Sequence, residues 1–174
     1  EGKILFDGSK TESIHAKPLL ELATNLIGCN NANLKNEDGI WKVIGDPTEG
    51  AMLSAGIKAG GNQEYINKEM PKQYEFPFDS DRKRSTVVRK MNDGKYRVFT
   101  NGAPGILLQL CTRLYTSEGV RELTDQDRVN ILAETTKMAK QALRVLGSAY
   151  RNLENSSVKD PQVDEVEKDL IFIG

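Results

Sequence analysis

The run "STVVRKMNDGKYRVFT", residues 85–100, constrains the fold more than any other stretch. Two β-rich segments flank "NDG", and that arrangement signals an antiparallel hairpin. Helical patterns lie on both sides of it. In "PLLELATNLIGC" Leu19, Leu22, Ala23, Leu26 and Ile27 fall at helical spacing, so one face is apolar. "WKVIG" (41–45) reads as a short strand that runs into "DPTEGAMLSAGIKAGG". There Asp46 caps a helix, Pro47 takes the first helical position, Glu49 suits the positive end and Gly60-Gly61 stops it. "APGILLQLCTRLY" is a short helix. "TDQDRVNILAETTKMAKQAL" is a longer one, with Thr124 as cap, Asp127 completing a capping box, and Val129, Leu132, Ala139 and Leu143 on one face. "RVLGSAYR", opened by Arg144, and "DLIFIG" read as strands. A hairpin with helices inserted between strands predicts an α+β fold, not a doubly wound parallel sheet. "NLENSSVKDPQVDEVEKD" is polar and contains proline, so it is expected as a surface loop.

At 174 residues the chain is expected to form one domain, 1–174, with its own core. Hydrophobic residues make up 38% and charged residues 28%, a globular balance. The net charge of −1 argues against a nucleic-acid binder, which needs a basic excess. No apolar run approaches the roughly 20 residues of a membrane helix, and "EGKILFDGSK" is no signal peptide. Cys29 in "LIGCNN" and Cys111 in "LQLCTR" read as buried free thiols of a reducing compartment. His15 is the single histidine, which leaves no material for a His-based metal centre or a Ser-His-Asp device. The opening without methionine and the apolar ending lead to the expectation of a segment cut from a longer protein.

Four segments carry candidate chemistry, each with a bland reading beside the functional one. "GDPTEGAML" is a well-capped helix start, and the same caps offer backbone donors and a carboxylate, Glu49, that can accept from an amino group. "FDSDRKRS" (78–85) is a strand edge defended by charge, yet that account leaves Phe78 unexplained. A purine ring stacks on such a phenylalanine while Lys83, with Arg82 or Arg84 beside it, faces phosphate. "TNGAPG" is a turn before a helix, in which Gly102 permits close backbone approach. Arg144 in "ALRVLGSAYR" is a surface ion pair or a phosphate clamp. No Walker loop and no strand-borne "GxGxxG" occurs.

In combination and in this order, "CNNA", "GDPTEGA", "FPFDSDRKRS", "NGAP", "LRVLGSAYR" and "DLIFIG" resemble the nucleotide-binding (N) domain of a P-type cation-transporting ATPase. The likeness is to the calcium-pump-like and sodium/potassium-pump-like class and covers nearly the whole chain. The resemblance implies a twisted antiparallel β-sheet flanked by helices, inserted into a phosphorylation domain. It implies ATP as ligand, as Mg-ATP in the parent pump, and no catalytic or metal-binding residue in this segment. The phosphorylation and membrane domains of the same chain are the implied partners, and a cytoplasmic domain of an integral membrane protein is the implied setting. The implied nucleotide-binding residues are Asp46, Thr48, Glu49, Phe78, Ser80, Lys83, Asn101, Gly102, Arg144 and Leu146. Among them Phe78 stacks on adenine, Glu49 meets its amino group, Lys83 and Arg144 approach the phosphates, and Leu146 forms an apolar wall.

Two positions depart from the family pattern. "NGAPG" stands where "KGAPE" is usual, so Asn101 replaces a lysine and Gly105 an acid. From the sequence, Asn101 offers hydrogen bonds to base or ribose, and Asn101→Lys is expected to tighten binding. The phosphorylated-aspartate motif "DKTGT" is absent, which implies a chain that grips ATP without supplying the nucleophile. Two other classes stay open: a free-standing nucleotide-binding regulatory module, and a protein-interaction domain whose "FDSDRKRS" docks an acidic partner without nucleotide.

Overall fold

The computed structural model describes residues 5–6, 9–10, 17–154 and 160–174; His15 and residues 155–159 of the polar loop lie outside them. The elements in chain order begin with the short strands β1 (Leu5–Phe6) and β2 (Ser9–Lys10) and the helix α1 (Lys17–Gly28). Strands β3 (Asn33–Glu37) and β4 (Ile40–Ile44) precede α2 (Pro47–Lys58) and α3 (Gln63–Glu69). Next come β5 (Lys72–Asp79), β6 (Arg84–Lys90), β7 (Tyr96–Gly102), α4 (Pro104–Leu110), β8 (Cys111–Thr116) and β9 (Gly119–Glu122). The chain closes with α5 (Asp125–Lys140), β10 (Gly147–Leu153), α6 (Val163–Val166) and β11 (Leu170–Phe172).

A seven-stranded sheet in the order β5-β6-β7-β10-β11-β8-β9 forms the frame. The expected hairpin is its centre: β6 and β7 pair antiparallel from Arg84↔Gly102 to Lys90↔Tyr96, and Gly94 turns between them at φ +83°. β10 then lies against β7 in full antiparallel register, Gly147↔Gly102 through Leu153↔Tyr96. One pair departs from antiparallel order, because β11 runs parallel to β8. Helices cover both faces, which gives the α+β architecture expected.

Alternation along the strands sorts the core into two layers. On one face Val87 and Phe99 pack with Cys29, while Tyr150, Ile171 and Ile173 pack with Leu22 of α1. On the other, Ala149, Leu170 and Phe172 meet Leu107 and Leu108 of α4, and Val88, Val98 and Leu153 meet Val166 of α6. Both cysteines are buried and free, and loss of hydration pushes the thiol of Cys29 up to about 11 and that of Cys111 up to about 12. Neither is a thiolate at neutral pH.

Several boundaries differ from the sequence expectation. The helix of "APGILLQLCTRLY" stops at Leu110, and Cys111 starts β8. Arg144, Val145 and Leu146 lie before β10, which begins at Gly147. The apolar face predicted for α5 is turned outward, with Val129 60% exposed, and the helix ends at Lys140, so Leu143 lies beyond it. The helix instead presents Ile131 to the α4 layer and anchors through Arg128, whose guanidinium donates to the carbonyls of Leu108 and Cys111. Those two buried carbonyl partners set the rotation of the helix.

The predicted capping box is formed. Thr124 Oγ1 accepts from the Asp127 backbone N–H (3.2 Å), and Asp127 Oδ2 accepts from the Thr124 N–H (2.9 Å). Arg121 adds a two-pronged contact to the same carboxylate, at 2.6 and 2.8 Å. Arg121 first, then Thr124, holds the Asp127 carboxyl well below the usual range. A depressed folded-state value stabilises the fold above the ordinary aspartate value of about 3.9 and is lost as pH falls below it. Asp127→Asn should therefore lower the melting temperature at pH 7. Melts of parent and variant from pH 7 downward should show the gap closing on the acid side, and a gap independent of pH would refute this account.

Candidate functional site

The site is built around the N-terminus of α2. Asp46 Oδ1 accepts from the backbone N–H groups of Thr48 (2.8 Å) and Glu49 (3.1 Å), with Pro47 at the first position. Those bonds, the Glu49 amide foremost, lower the Asp46 carboxyl below its ordinary value. Arg144 reaches this end from the segment before β10, with Nη1 3.5 Å from Thr48 Oγ1. Asp46, Thr48 and Arg144 are thus brought together across 96 residues of chain.

Glu49 is held by the loop after α1. Its Oε2 accepts from the Asn31 backbone N–H (3.0 Å), its backbone carbonyl accepts from Asn30 Nδ2 (2.8 Å), and Oε1 carries no protein bond among the described residues. Asn31 also ties this loop to β5, donating from Nδ2 to Glu75 Oε1 (2.5 Å). Lys72 Nζ bonds both Asn31 and Glu75. The side chains of Asn30, Asn31, Glu75 and Lys72 therefore set the pose of Glu49, and sequence reasoning missed that role. The "CNNA" motif was its one signal in the sequence.

Phe78 stands near the end of β5, 68% exposed, beside a bulge that interrupts pairing with β6 between Phe76 and Asp79. Asp79 Oδ1 caps the following turn by accepting from the N–H groups of Asp81 (3.0 Å) and Arg82 (2.8 Å). Ser80 lies exposed on this turn. Lys83 is exposed at φ +54°, the left-handed region that favours glycine, and its side chain makes no bond among the described residues. Arg82 and Arg84 both turn to Glu167.

Asn101 and Gly102 end β7, beside the basic turn. A Cβ on Gly102 would sit 2.5 Å from Arg84 Cβ and 2.6 Å from the Lys83 carbonyl oxygen, so glycine is needed for this approach. Asn101 is 3% exposed, and its amide is engaged inside the protein. Its Oδ1 accepts from Ser148 Oγ (2.6 Å) and Asn25 Nδ2 (2.9 Å), and its Nδ2 donates to the Cys29 carbonyl (3.4 Å). Leu146 faces a groove of about 410 Å³ between α5 and β10–β11, shared with Ile131, Met138, Val145 and Phe172. No group of three or more His, Cys, Asp or Glu side chains among the described residues is placed to hold a metal ion. No helix of the described residues is long and apolar enough to cross a membrane.

Phe78 and Lys83 thus expose an aromatic face and a cation around the turn after β5, while Glu49 and Arg144 lie at the N-terminus of α2, whose first amides are already capped.

Comparison with known proteins places the chain in a family. The family model described as P-type ATPase, cytoplasmic domain N, matches residues 18–174. A calcium-transporting ATPase of Bacillus subtilis is 35% identical over 158 residues, 91% of this chain and 18% of that protein. Calcium-transporting ATPase 1 of Bacillus cereus is 37% identical over 153 residues, covering 88% and 16%. A cation-transporting ATPase of Synechocystis sp. is 34% identical over 160 residues, covering 90% and 17%. The chain spans less than a fifth of each of these relatives. With the family model running from α1 to the last residue, the chain belongs to the P-type ATPases, as their cytoplasmic domain N.

Proposed function

We propose that residues 1–174 form one domain of a larger membrane pump, binding ATP and presenting it to the pump's phosphorylation domain for cation transport. Calcium is the cation for which the Bacillus relatives are named. The observation that carries the reading is Phe78, a large aromatic left 68% exposed next to a basic turn. Adenine stacks on that ring, Glu49 Oε1 accepts from its amino group, and Lys83 and Arg144 meet the phosphates. Ser80, Asp46 and Thr48 line the approach, Gly102 keeps the wall low beside Lys83, and Leu146 supplies apolar surface at the Arg144 end. Asn101 supports the floor from inside the sheet. In the pump the nucleotide would be bound as Mg-ATP, with the ion held on the phosphates. The phosphorylation and membrane domains would supply the nucleophile and the ion path, with closure between domains as a hinge motion.

Phe78→Ala should weaken ATP binding about tenfold or more, because stacking contributes on the order of 1–3 kcal/mol per base. Calorimetric titration giving equal affinities, with unchanged circular dichroism, would remove Phe78 from the site.

Asn101→Lys, expected from the sequence to tighten binding, should instead destabilise the fold. It replaces an amide with three interior partners by an ammonium at a 3% exposed position. A lower melting temperature without tighter binding is expected; tighter ATP binding at full stability would show that the lysine reaches the ligand.

AMP and ADP should bind nearly as well as ATP, because base recognition rests on Phe78 and Glu49. GTP should bind less well, since guanine places a carbonyl where adenine has its amino group. A nucleotide series followed by NMR shifts, beside a phosphate-release assay, tests both points. Phosphate release abolished by Glu49→Gln would overturn the binding-only reading.

A further inference from the structure

Glu167 is 2% exposed, and it lies on the segment between α6 and β11, more than 80 residues from the groups it holds. Its Oε1 accepts from Arg82 Nη1 (2.5 Å) and Thr86 Oγ1 (2.6 Å), and its Oε2 accepts from Arg84 Nε (2.7 Å). Thr86 and its neighbour Thr100 occupy the sheet face opposite Ser85, Asn101 and Ser148, as alternation along β6 and β7 requires. One carboxylate thus draws two guanidinium groups of "DRKR" to the face away from α1 and α2. Lys83 between them is exposed and makes no side-chain bond among the described residues. Arg82 also donates from Nη2 to the carbonyl of Pro77 (2.7 Å), directly before Phe78. Arg84 donates from Nη1 to the Arg82 carbonyl (2.9 Å), which braces the turn around Lys83.

We propose that Glu167 is a positioning residue for the nucleotide site. It withholds Arg82 and Arg84 from the phosphates, leaves Lys83 as the cation of the run that faces them, and through Arg82 fixes the backbone that presents Phe78. The inference rests on the nucleotide reading above. A buried ion pair of this kind is weak evidence for net stability and is better suited to fixing geometry. Arginine binds phosphate through a planar fork, so releasing two of them would shift recognition from base toward phosphate. Glu167 therefore sets the balance between those two parts of the ligand.

The test is NMR titration of the parent chain and of Glu167→Gln with AMP and with ATP, corrected for folded fraction from melts. At low ionic strength the variant should favour ATP over AMP by about threefold or more relative to the parent, and added salt should erase that gain. A purely structural role would weaken both ligands equally, so a smaller change in the ratio overturns the inference. If Glu167→Gln does not fold, Arg82→Gln leaves Arg84 and Thr86 on the carboxylate and removes the Arg82 contacts to Glu167 and to the Pro77 carbonyl. AMP affinity should then fall about threefold or more through loss of stacking geometry at Phe78, and an unchanged affinity overturns the inference. A parent chain without nucleotide-dependent shifts refutes the nucleotide reading and this inference with it. A parent that binds while both variants behave like it refutes this inference alone.

Discussion

The register in which β7 lies between β6 and β10 places Asn101 between Ser85 and Ser148, and Gly102 between Arg84 and Gly147. A slip of one residue between β6 and β7 would carry Asn101 to the opposite face and bring a side chain toward the Lys83 carbonyl. The polar row and the close approach of the basic turn both follow from this alignment. So does the separation of Lys83 from its two arginine neighbours, because Thr86 on the far face supplies the third group that Glu167 binds.

Buried cations join the helices to the sheet. Arg89 is 2% exposed and donates to the carbonyls of Gly28 (2.7 Å) and Met70 (2.9 Å), tying the ends of α1 and α3 to β6. Arg97 pairs with Glu21 of α1 and lies over the rings of Tyr150 (3.9 Å) and Phe99 (5.3 Å). Both guanidinium groups lose hydration, and each regains carbonyl, carboxylate or π-face contacts. The helical layer is therefore fixed in azimuth as well as held by apolar burial, which keeps the Asn30-Asn31 loop in reach of Glu49.

What was legible in the sequence was local. The "NDG" hairpin, the Asp46 cap and the Thr124–Asp127 box each involve groups within a few residues of one another, and each forms as read. The long-range pairings were not legible: the parallel contact of β11 with β8 depends on two distant segments of similar apolar character. The face of α5 was misread because Arg128, a charged residue, proved to be its inward anchor. Asn31 and Glu167 were missed for the same reason, since nothing next to them in sequence reveals a partner. The residues of the basic run were legible as a group, but the turn of Arg82 and Arg84 to Glu167, with Lys83 left exposed, was not.

Because α5 contributes no fully buried residue, its amides are expected to exchange more readily than those of the central strands. A helix fastened by a cap at one end, by Arg128 and by Ile131 can open locally while β6, β7 and β10 stay paired. Hydrogen exchange would then report two energy levels within the chain, with the Arg144–Leu146 segment joined to the looser one at its start and to the firm sheet at its end.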